Sequence, residues 1–219
     1  MRYARICRSE AECCDVLLGI KGLVSHGSET EKFLRTAEPK TIFMSISQEQ
    51  VSGLSEFIRE PFEMNLSDYE IIYGVRLSKY GEVMTPPPMY IEAVKYADEK
   101  DIPVIGLDMN ENEFSELYQK NVGVLSLVRH SIRKKRLLGK DYGDNDPYAF
   151  VQEWSRQLDK VGALRKVDVE RASFMAARFN DEAAGKFSGS ALVFDFELWS
   201  KFTRSLVPLG YRVTEAGIP

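Results

Sequence analysis

Charged side chains that end or follow apolar segments are the residues of this sequence best suited to chemistry. Asp108 ends one apolar segment, Glu197 follows another, and Glu170 and Arg171 lie inside a helical pattern. Such carboxylates can act as acids or bases, although Asp also caps loops and Glu also complements a helix dipole. Because the arginine fork binds carboxylate and phosphate, Arg129 and Arg171 are predicted to hold an anion in a cleft that the carboxylates share. Charge pairing among these residues alone is the alternative.

A glycine-rich turn follows the apolar residues near the N-terminus. Gly19 and Gly22 fit neither the GxxxxGK[ST] nor the GxGxxG spacing, which excludes both common nucleotide-binding loops. With His26 just beyond it, the turn is predicted to connect a strand to a helix at the mouth of a cleft, because open α/β sheets place ligands at the carboxyl ends of strands. Its amides and the helix after it favour an anion.

The run at residues 129–136 holds six basic residues in eight when His130 is counted. No aromatic residue is interleaved for stacking on bases. A net charge of −4 and a pI near 5.4 further exclude a non-specific nucleic-acid binder. Three interpretations of the run stay open: a solvated helix end that suits the dipole, a polyanion site, or a surface for a partner protein.

Cysteine and histidine usage limits the possible metal chemistry. Cys7, Cys13 and Cys14 are predicted to be thiols in a reducing compartment. With two histidines and no CxxC motif, we expect no metal and no cofactor, although the carboxylates leave an oxygen-ligand site for a divalent cation open. The sequence also lacks the GxSxG motif of serine hydrolases. Because it has no apolar run of about 18 residues and no signal-peptide core, a cytoplasmic protein without membrane contact is expected.

Apolar periodicity predicts the elements that position these residues. Strands are expected at 39–47, 102–108, 190–196 and 211–217, and residues 10–20 fit a helix running into a strand. The expected helices cover residues 29–38, 48–60, 67–81, 89–100, 111–140, 147–161, 167–185 and 197–210. Strands that alternate with helices indicate one α/β domain over residues 1–219, with a parallel or mixed central sheet and helices on both faces.

Local residue chemistry refines several of these boundaries. Ser28 is expected to cap the first helix, Ser67 with Glu70 forms a capping box, Pro88 opens a helix, and Asp146 caps another. In the helix at 167–185, the predicted core residues are Val169, Phe174, Met175 and Phe179.

Taken in order, these segments resemble the TraB/PrgY/Tiki superfamily, which includes erythromycin-esterase-like and ChaN-like proteins. VLLGIKG followed by EPKTIFMSIS resembles the family's opening strand, turn and second strand, and IPVIGLD its aspartate-tipped strand. VERASFMAARF is similar to the ERxxxM helix, with Glu170, Arg171 and Met175, and Arg129 stands where a family arginine would follow. SALVFDFELWSKFTRSL is similar to the closing strand and helix.

The resemblance implies a TraB-like fold, and in that family glycine–histidine turns and a glutamate bind a metal or act in hydrolysis. Gly22 stands where the first histidine would be, Ser45 where the glutamate would be, and Met109 where an arginine follows the aspartate. Glu197 lies in a segment that replaces the second glycine–histidine turn. The resemblance therefore implies a divergent member that has lost metallo-hydrolase chemistry.

Three functions are carried forward. The first is binding of a small anionic or polar ligand, or of a partner protein, without catalysis. The second is an active metal-dependent hydrolase that uses the remaining carboxylates, in which three carboxylate oxygens must converge on a cation. The third is a structural protein that forms homo-oligomers through the sheet edge or the proline-rich loop.

Overall fold

The computed structural model describes residues 1–140, 142 and 146–216, except for the side chains at 129, 130, 133–136, 138 and 216. Within this part of the chain, the strands are β1 (Arg2–Cys7), β2 (Cys13–Gly19), β3 (Thr41–Ser47), β4 (Val104–Asp108), β5 (Ser190–Asp195) and β6 (Arg212–Ala216). The helices are α1 (Ser25–Ala37), α2 (Gln48–Arg59), α3 (Asp68–Leu77), α4 (Pro88–Lys100), α5 (Glu111–Asn121), α6 (Val124–Gly139), α7 (Pro147–Leu158), α8 (Gly162–Glu182) and α9 (Phe196–Leu206). No helix of the described residues is long and apolar enough to cross a bilayer.

The strands form one mixed sheet in the order β4-β3-β5-β2-β1-β6. β4, β3, β5 and β2 pair in parallel, while β1 is antiparallel to both β2 and β6. The α/β class and the mixed sheet predicted from the sequence are therefore confirmed.

Side chains of the central strands alternate between two cores. Phe43 of β3 and Leu192 of β5 lie in a core with α7, α8 and α9. Met44 and Val193, the next residues along the same strands, lie in a core with α1, α2 and α4. Because both faces of β3 and β5 are covered, these strands are apolar at successive positions rather than at alternate ones. Helices cover both faces of the sheet, as predicted.

Parallel pairing brings the carboxyl ends of four strands to one edge of the sheet. The last residues of these strands are Gly19, Ser47, Asp108 and Asp195. After β2 and β3 the chain turns to helices of one core, whereas after β5 it turns to α9 in the other core. Connections that diverge to opposite faces open a crevice between them, the usual ligand position in such sheets.

The β3 and β4 ends approach each other closely at Gly106. A Cβ at this position would lie 2.5 Å from the backbone nitrogen of Gln48. The Gly106 N–H donates to Oε1 of Gln48 at 2.8 Å, next to an irregularity in the β3–β4 register between Met44 and Ser47. The absence of a side chain at Gly106 thus lets the two strand ends pack together.

The N-terminal region differs from its sequence-based interpretation. Residues 10–20 do not contain a helix, because β1 and β2 form a hairpin in which Cys7 is paired with Cys13. These two residues form a disulfide, so the thiol prediction is wrong for them. Cys14 is a free, buried thiol whose pKa burial raises to about 12. The hairpin buries Ala4, Ile6, Cys14 and Val16 against the core that holds α8 and α9.

Two helix predictions need correction. α1 begins at Ser25, so Ser28 lies inside the helix, where its hydroxyl donates to the Ser25 carbonyl at 3.0 Å. The long helix predicted over 111–140 is two helices, α5 and α6, which are separated at Val122 and Gly123. Val122 has extended backbone angles that end α5, and glycine favours such a break.

Other local predictions agree with the structure. Ser67 and Glu70 form the expected capping box on α3, and Pro88 is the first residue of α4. Asp146 accepts the Tyr148 N–H and caps α7. In α8, Met175 and Phe179 are buried and Phe174 is half-buried, but Val169 is 45% exposed and was wrongly assigned to the core.

Candidate functional site

A cleft of about 510 Å³ opens at the carboxyl edge of the sheet, where the connections diverge. Its polar lining includes Lys21, Ser45, Tyr90, Arg171, Asp195 and Glu197. Its apolar lining includes Leu54, Phe57, Phe62, Met64, Val83 and Pro87. The volume lies within the range of about 300–1,000 Å³ common for small-molecule sites.

An ion-pair cluster forms the floor of the cleft. Lys21 lies in the turn after β2, and its Nζ is 2.8 Å from Oδ2 of Asp195, the last residue of the adjacent strand β5. The same Nζ is 3.6 Å from Oε2 of Glu197 in the first turn of α9. Oδ1 of Asp195 accepts the Glu197 N–H at 3.1 Å and caps that helix. One carboxylate thus holds both the lysine and the helix that carries the second acid.

A hydroxyl pair connects this floor to β3 and α4. The backbone N–H of Asp195 donates to Oγ of Ser45 at 2.7 Å. Oγ of Ser45 is in turn 2.9 Å from the hydroxyl of Tyr90. Burial raises the pKa of Tyr90, and the charge of Asp195 raises it further. The phenol therefore stays protonated at neutral pH and serves as a neutral hydrogen-bonding group.

Arg171 lies between the cleft and Asp108. Its Nε is 2.9 Å from Oδ1 and 2.7 Å from Oδ2 of Asp108, and its Nη2 also donates to Oδ2. Burial would lower the pKa of Arg171, but its hydrogen bonds to Asp108 and the charge of that residue outweigh burial and raise it. Asp108 is 3% exposed. The pair is thus a partly buried, charge-assisted contact in which Arg171 lines the cleft and the carboxylate of Asp108 lies behind it.

Glu197 is an acid of the cleft whose pKa is raised. Burial raises the pKa of Glu197 to about 7; Lys21 opposes the shift, and Asp195 and Asp168 add to it. Lys21 keeps its proton, because the two floor carboxylates overcome burial and raise its pKa. The cluster therefore changes charge near neutral pH through its glutamate. Strongly shifted acids in a cleft are typical of functional sites.

Tyr73 contributes a buried hydroxyl to the wall of the cleft. Among the described residues, no hydrogen-bond partner for this hydroxyl is present. Burial raises the pKa of Tyr73, as do the nearby charges of Glu197 and Asp195. Its ring contacts Trp154 and Phe150 at centroid distances of 5.4 and 5.7 Å, which fixes its position. A buried hydroxyl without a partner is unfavourable in the free protein, and a hydrogen bond from a ligand would remove this cost.

The turn that carries Lys21 is tied to the segment that precedes α4. The carbonyl of Gly22 accepts the Met84 N–H at 2.8 Å, and the Val24 N–H donates to the Glu82 carbonyl at 2.9 Å. Gly22 has a φ of 98°, a conformation that side chains disfavour. Pro86 and Pro87, which line the cleft, follow directly after this bridge.

Some of the residues singled out in the sequence come together in the structure. Arg171, Glu197 and Gly22 line the cleft, and Asp108 contacts it through Arg171. The side chain of Arg129 lies outside the described residues, as do most side chains of the basic run. The two positive charges described in the cleft lining, on Lys21 and Arg171, both have carboxylate partners.

Other candidates do not line the cleft formed by the described residues. Glu170 pairs with Lys166 at 3.7 Å on α8. A Cβ on Gly19 would lie 2.5 Å from atoms of Met1 and Met89, so this residue is a packing glycine. His26 is buried beside the turn.

His26 positions the turn after β2. Its Nδ1 accepts the Ile20 N–H at 2.8 Å, and its ring stacks on Tyr148 at a centroid distance of 6.0 Å. Burial lowers the pKa of His26 to about 4, with the N-terminal ammonium as a smaller cause. The imidazole is therefore neutral at physiological pH and holds the backbone next to Lys21.

Sequence reasoning missed Lys21, Asp195 and Tyr73. Lys21 lies inside the glycine-rich turn already noted, and Asp195 lies inside the predicted strand SALVFDF. The available signal was that both are charged residues at the carboxyl ends of buried strands, as Asp108 is. Tyr73 gives no such signal, because a tyrosine in an amphipathic helix resembles any core residue.

The carboxylates of the cleft do not form a cation cage with other ligands. Among the described residues, no group of three or more His, Cys, Asp or Glu side chains is arranged to hold a metal ion. Asp108 is engaged by Arg171, and Asp195 by Lys21.

Comparison with known proteins adds no family assignment. No protein-family model matches the chain, and no curated protein matches it significantly. The resemblance to the TraB superfamily thus stays a prediction.

Proposed function

We propose that this protein binds a small organic molecule with a polar end and an apolar body in the cleft at the carboxyl edge of the sheet. The observation that carries the proposal is the Lys21–Asp195–Glu197 cluster at the floor of a cleft of about 510 Å³ with apolar walls. A site of this kind orients a ligand by a few polar groups and gains affinity from apolar contact. The proposal keeps the idea of a divergent TraB-like domain without metallo-hydrolase chemistry.

Apolar surface at the mouth of the cleft supports the same function. Phe62 and Met64 line the cleft and are 51% and 45% exposed. Such side chains are available to cover the apolar body of a ligand. Each Å² of apolar surface that the ligand removes from water contributes about 25 cal/mol to binding. They lie in the segment between α2 and α3.

The hydrolase alternative has less support. Of its three carboxylates, Asp108 is held by Arg171 and Glu170 pairs with Lys166 away from the cleft. Only Glu197 stands in the cleft as that mechanism requires. We therefore propose binding rather than metal-assisted hydrolysis.

The test uses a neutral fluorescent probe, N-phenyl-1-naphthylamine, whose emission rises in apolar surroundings. Gly53 lines the cleft, and a Cβ there would meet no atom within 4 Å, so Gly53→Trp fills the cleft without a backbone clash. Gly162, at the exposed start of α8, has the same open space outside the cleft and provides the control Gly162→Trp. We expect saturable binding by the wild type and by Gly162→Trp, and at least tenfold weaker binding by Gly53→Trp. Equal binding by all three proteins would refute the cleft as the site.

Two further expectations remain proposals. A cytoplasmic location is one, although the Cys7–Cys13 disulfide weighs against a reducing compartment, where such bridges rarely persist. Homo-oligomerisation is the other. Besides the sheet edge and the proline-rich loop, α6 offers a surface on which to test it, because Val124 and Leu125 are 77% and 76% exposed. Sedimentation of the wild type against Leu125→Glu would detect self-association through this face.

A further inference from the structure

The charges around the floor of the cleft are unequal in number. Asp195 has Lys21 as its cation, and Asp108 has Arg171. Glu197 only shares Lys21, at the longer distance of 3.6 Å. With Asp108 behind Arg171 included, three carboxylates of these described residues therefore share two cations.

On the other side of Glu197, no cation of the described residues forms an ion pair with this carboxylate. The charge of Lys201 acts on Glu197, but its Nζ is paired with Asp159 at 2.9 Å and with Asp168 at 3.0 Å. One lysine is thus divided between two acids. Among the described residues, Glu197 therefore has no cation of its own, and a partly buried carboxylate in this position is unfavourable.

A second, independent feature points to a ligand at the same place. The hydroxyl of Tyr73 is buried in the cleft wall without a partner among the described residues. A phenol oxygen accepts a hydrogen bond from an N–H donor. The rings of Tyr73 and Phe57 also line the cleft, and aromatic faces attract organic cations.

We propose, on the basis of the binding function above, that the ligand is an organic amine whose ammonium group contacts Glu197 and Tyr73 while its apolar body lies against Leu54 and Phe57. An ammonium supplies the positive charge that the floor lacks and donates to both oxygen atoms. An anionic ligand would add to the negative excess, and a bare metal ion would leave the apolar wall without a contact. The charge balance therefore favours a cationic ligand, whereas Arg129 and Arg171 alone led to the expectation of an anion.

The test compares three ligands that share a phenyl body and differ in the end group: 2-phenylethylamine, 2-phenylethanol and 3-phenylpropanoate. Each is used to displace N-phenyl-1-naphthylamine from the wild type at pH 8 and low ionic strength. We expect the amine to displace the probe at a concentration at least tenfold lower than the alcohol. The carboxylate should be the weakest of the three.

Variants assign the selectivity to its residue. In Glu197→Gln, the amine and the alcohol should displace the probe at about the same concentration. Glu170 is an acid on α8 outside the cleft, so Glu170→Gln should keep the preference of the wild type for the amine. Tyr73→Phe should weaken the amine several-fold. If Glu197→Gln does not fold, the preference measured with the wild type alone still decides the question.

The outcomes separate this inference from the proposed function. Equal displacement by the amine and the alcohol, a preference for the carboxylate, or no displacement by any of the three would overturn the amine proposal even though the probe binds. Failure of the probe itself to bind in the cleft would overturn the proposed function and the inference with it.

Discussion

Nζ of Lys21 lies 2.8 Å from Oδ2 of Asp195, so an ion pair joins the turn after β2 to the last residue of the neighbouring strand β5. The carboxylate is 3% exposed in its side chain and the lysine 35%. Removal of the lysine charge leaves a buried acid, whereas the reverse change leaves a cation that solvent still reaches. The two partners therefore contribute unequally to stability.

Lys21→Met should destabilise the protein by about 1–3 kcal/mol, because the change leaves Asp195 buried without its cation. The double variant Lys21→Met/Asp195→Asn should lose less than the sum of the single variants, since each single change leaves an unpaired group. Urea unfolding at pH 7 measures these differences.

The control for this prediction is Lys95→Met. Lys95 pairs with Glu92 at 2.8 Å on the exposed face of α4, and surface pairs contribute about 0–1 kcal/mol. A loss at Lys21 no larger than that at Lys95 would contradict a partly buried, coupled cluster.

The pH dependence of stability should follow Glu197. Its pKa is raised from 4.5 to about 7 in the folded protein, so the folded state binds more protons than the unfolded chain between these values. Stability from this group is full below about pH 4.5 and is lost as pH rises through 7. Between pH 6 and 8, the wild type should lose about 1 kcal/mol relative to Glu197→Gln. Thermal unfolding at several pH values measures this difference.

His26 acts in the opposite direction and is common to both proteins. Its pKa is lowered to about 4, so its contribution is full above about pH 6.5 and is lost as pH falls toward 4. Because both proteins contain His26, its contribution cancels when the stability of Glu197→Gln is subtracted from that of the wild type. Parallel stability curves for the two proteins between pH 6 and 8 would show that Glu197 titrates normally.

Two glycine-to-alanine changes should have opposite effects. Gly106→Ala places a Cβ 2.5 Å from the Gln48 nitrogen and should cost about 3 kcal/mol, because the backbone of β3 must move. Gly53→Ala, inside α2 with open space around the new Cβ, should stabilise the protein by about 0.5–1 kcal/mol. Chemical denaturation compares both with the wild type, and equal effects would disprove the tight contact of β3 and β4.

The number of free thiols reports the oxidation state of the cysteines. Because Cys7 and Cys13 form a disulfide and Cys14 is free, thiol titration of the unfolded, unreduced protein should yield one thiol. Prior reduction should yield all three cysteines. Three thiols before reduction in protein isolated under air would contradict the bridge.

Reduction should also lower the stability of the native protein. The bridge closes a short loop between β1 and β2, for which the chain-entropy model gives about 2 kcal/mol. Cys7→Ser/Cys13→Ser should lose a similar amount and should no longer respond to reductant, while Cys14→Ala should keep the response. Urea unfolding with and without reductant distinguishes these cases.

Sequence patterns predict the elements of this protein better than its site. The apolar segment ending at Asp108 and the capping box of Ser67 and Glu70 are local features, and periodicity and cap chemistry reveal them directly. The β1–β2 hairpin was missed because its strands mix polar and apolar residues. Its disulfide depends on a register that spacing alone does not specify.

The site depends on contacts between distant segments. The sequence pattern gives Glu170 and Arg171 equal standing as candidate site residues. Neighbouring side chains on a helix point about 100° apart, however. Of these two residues, Arg171 contacts Asp108 and lines the cleft, and Glu170 does not. Lys21 and Asp195 become partners only because β2 and β5 are adjacent in the sheet. Strand order is a property of the whole chain, so no single segment predicts this pair.

The two backbone hydrogen bonds that join Gly22 to Met84 and Val24 to Glu82 have a mechanical consequence. They connect the loop that carries Lys21 to the segment that leads into Pro86 and Pro87. A molecule that rests on these prolines therefore contacts a segment whose backbone is hydrogen-bonded to the lysine turn, so the wall and the floor of the cavity are parts of one connected unit.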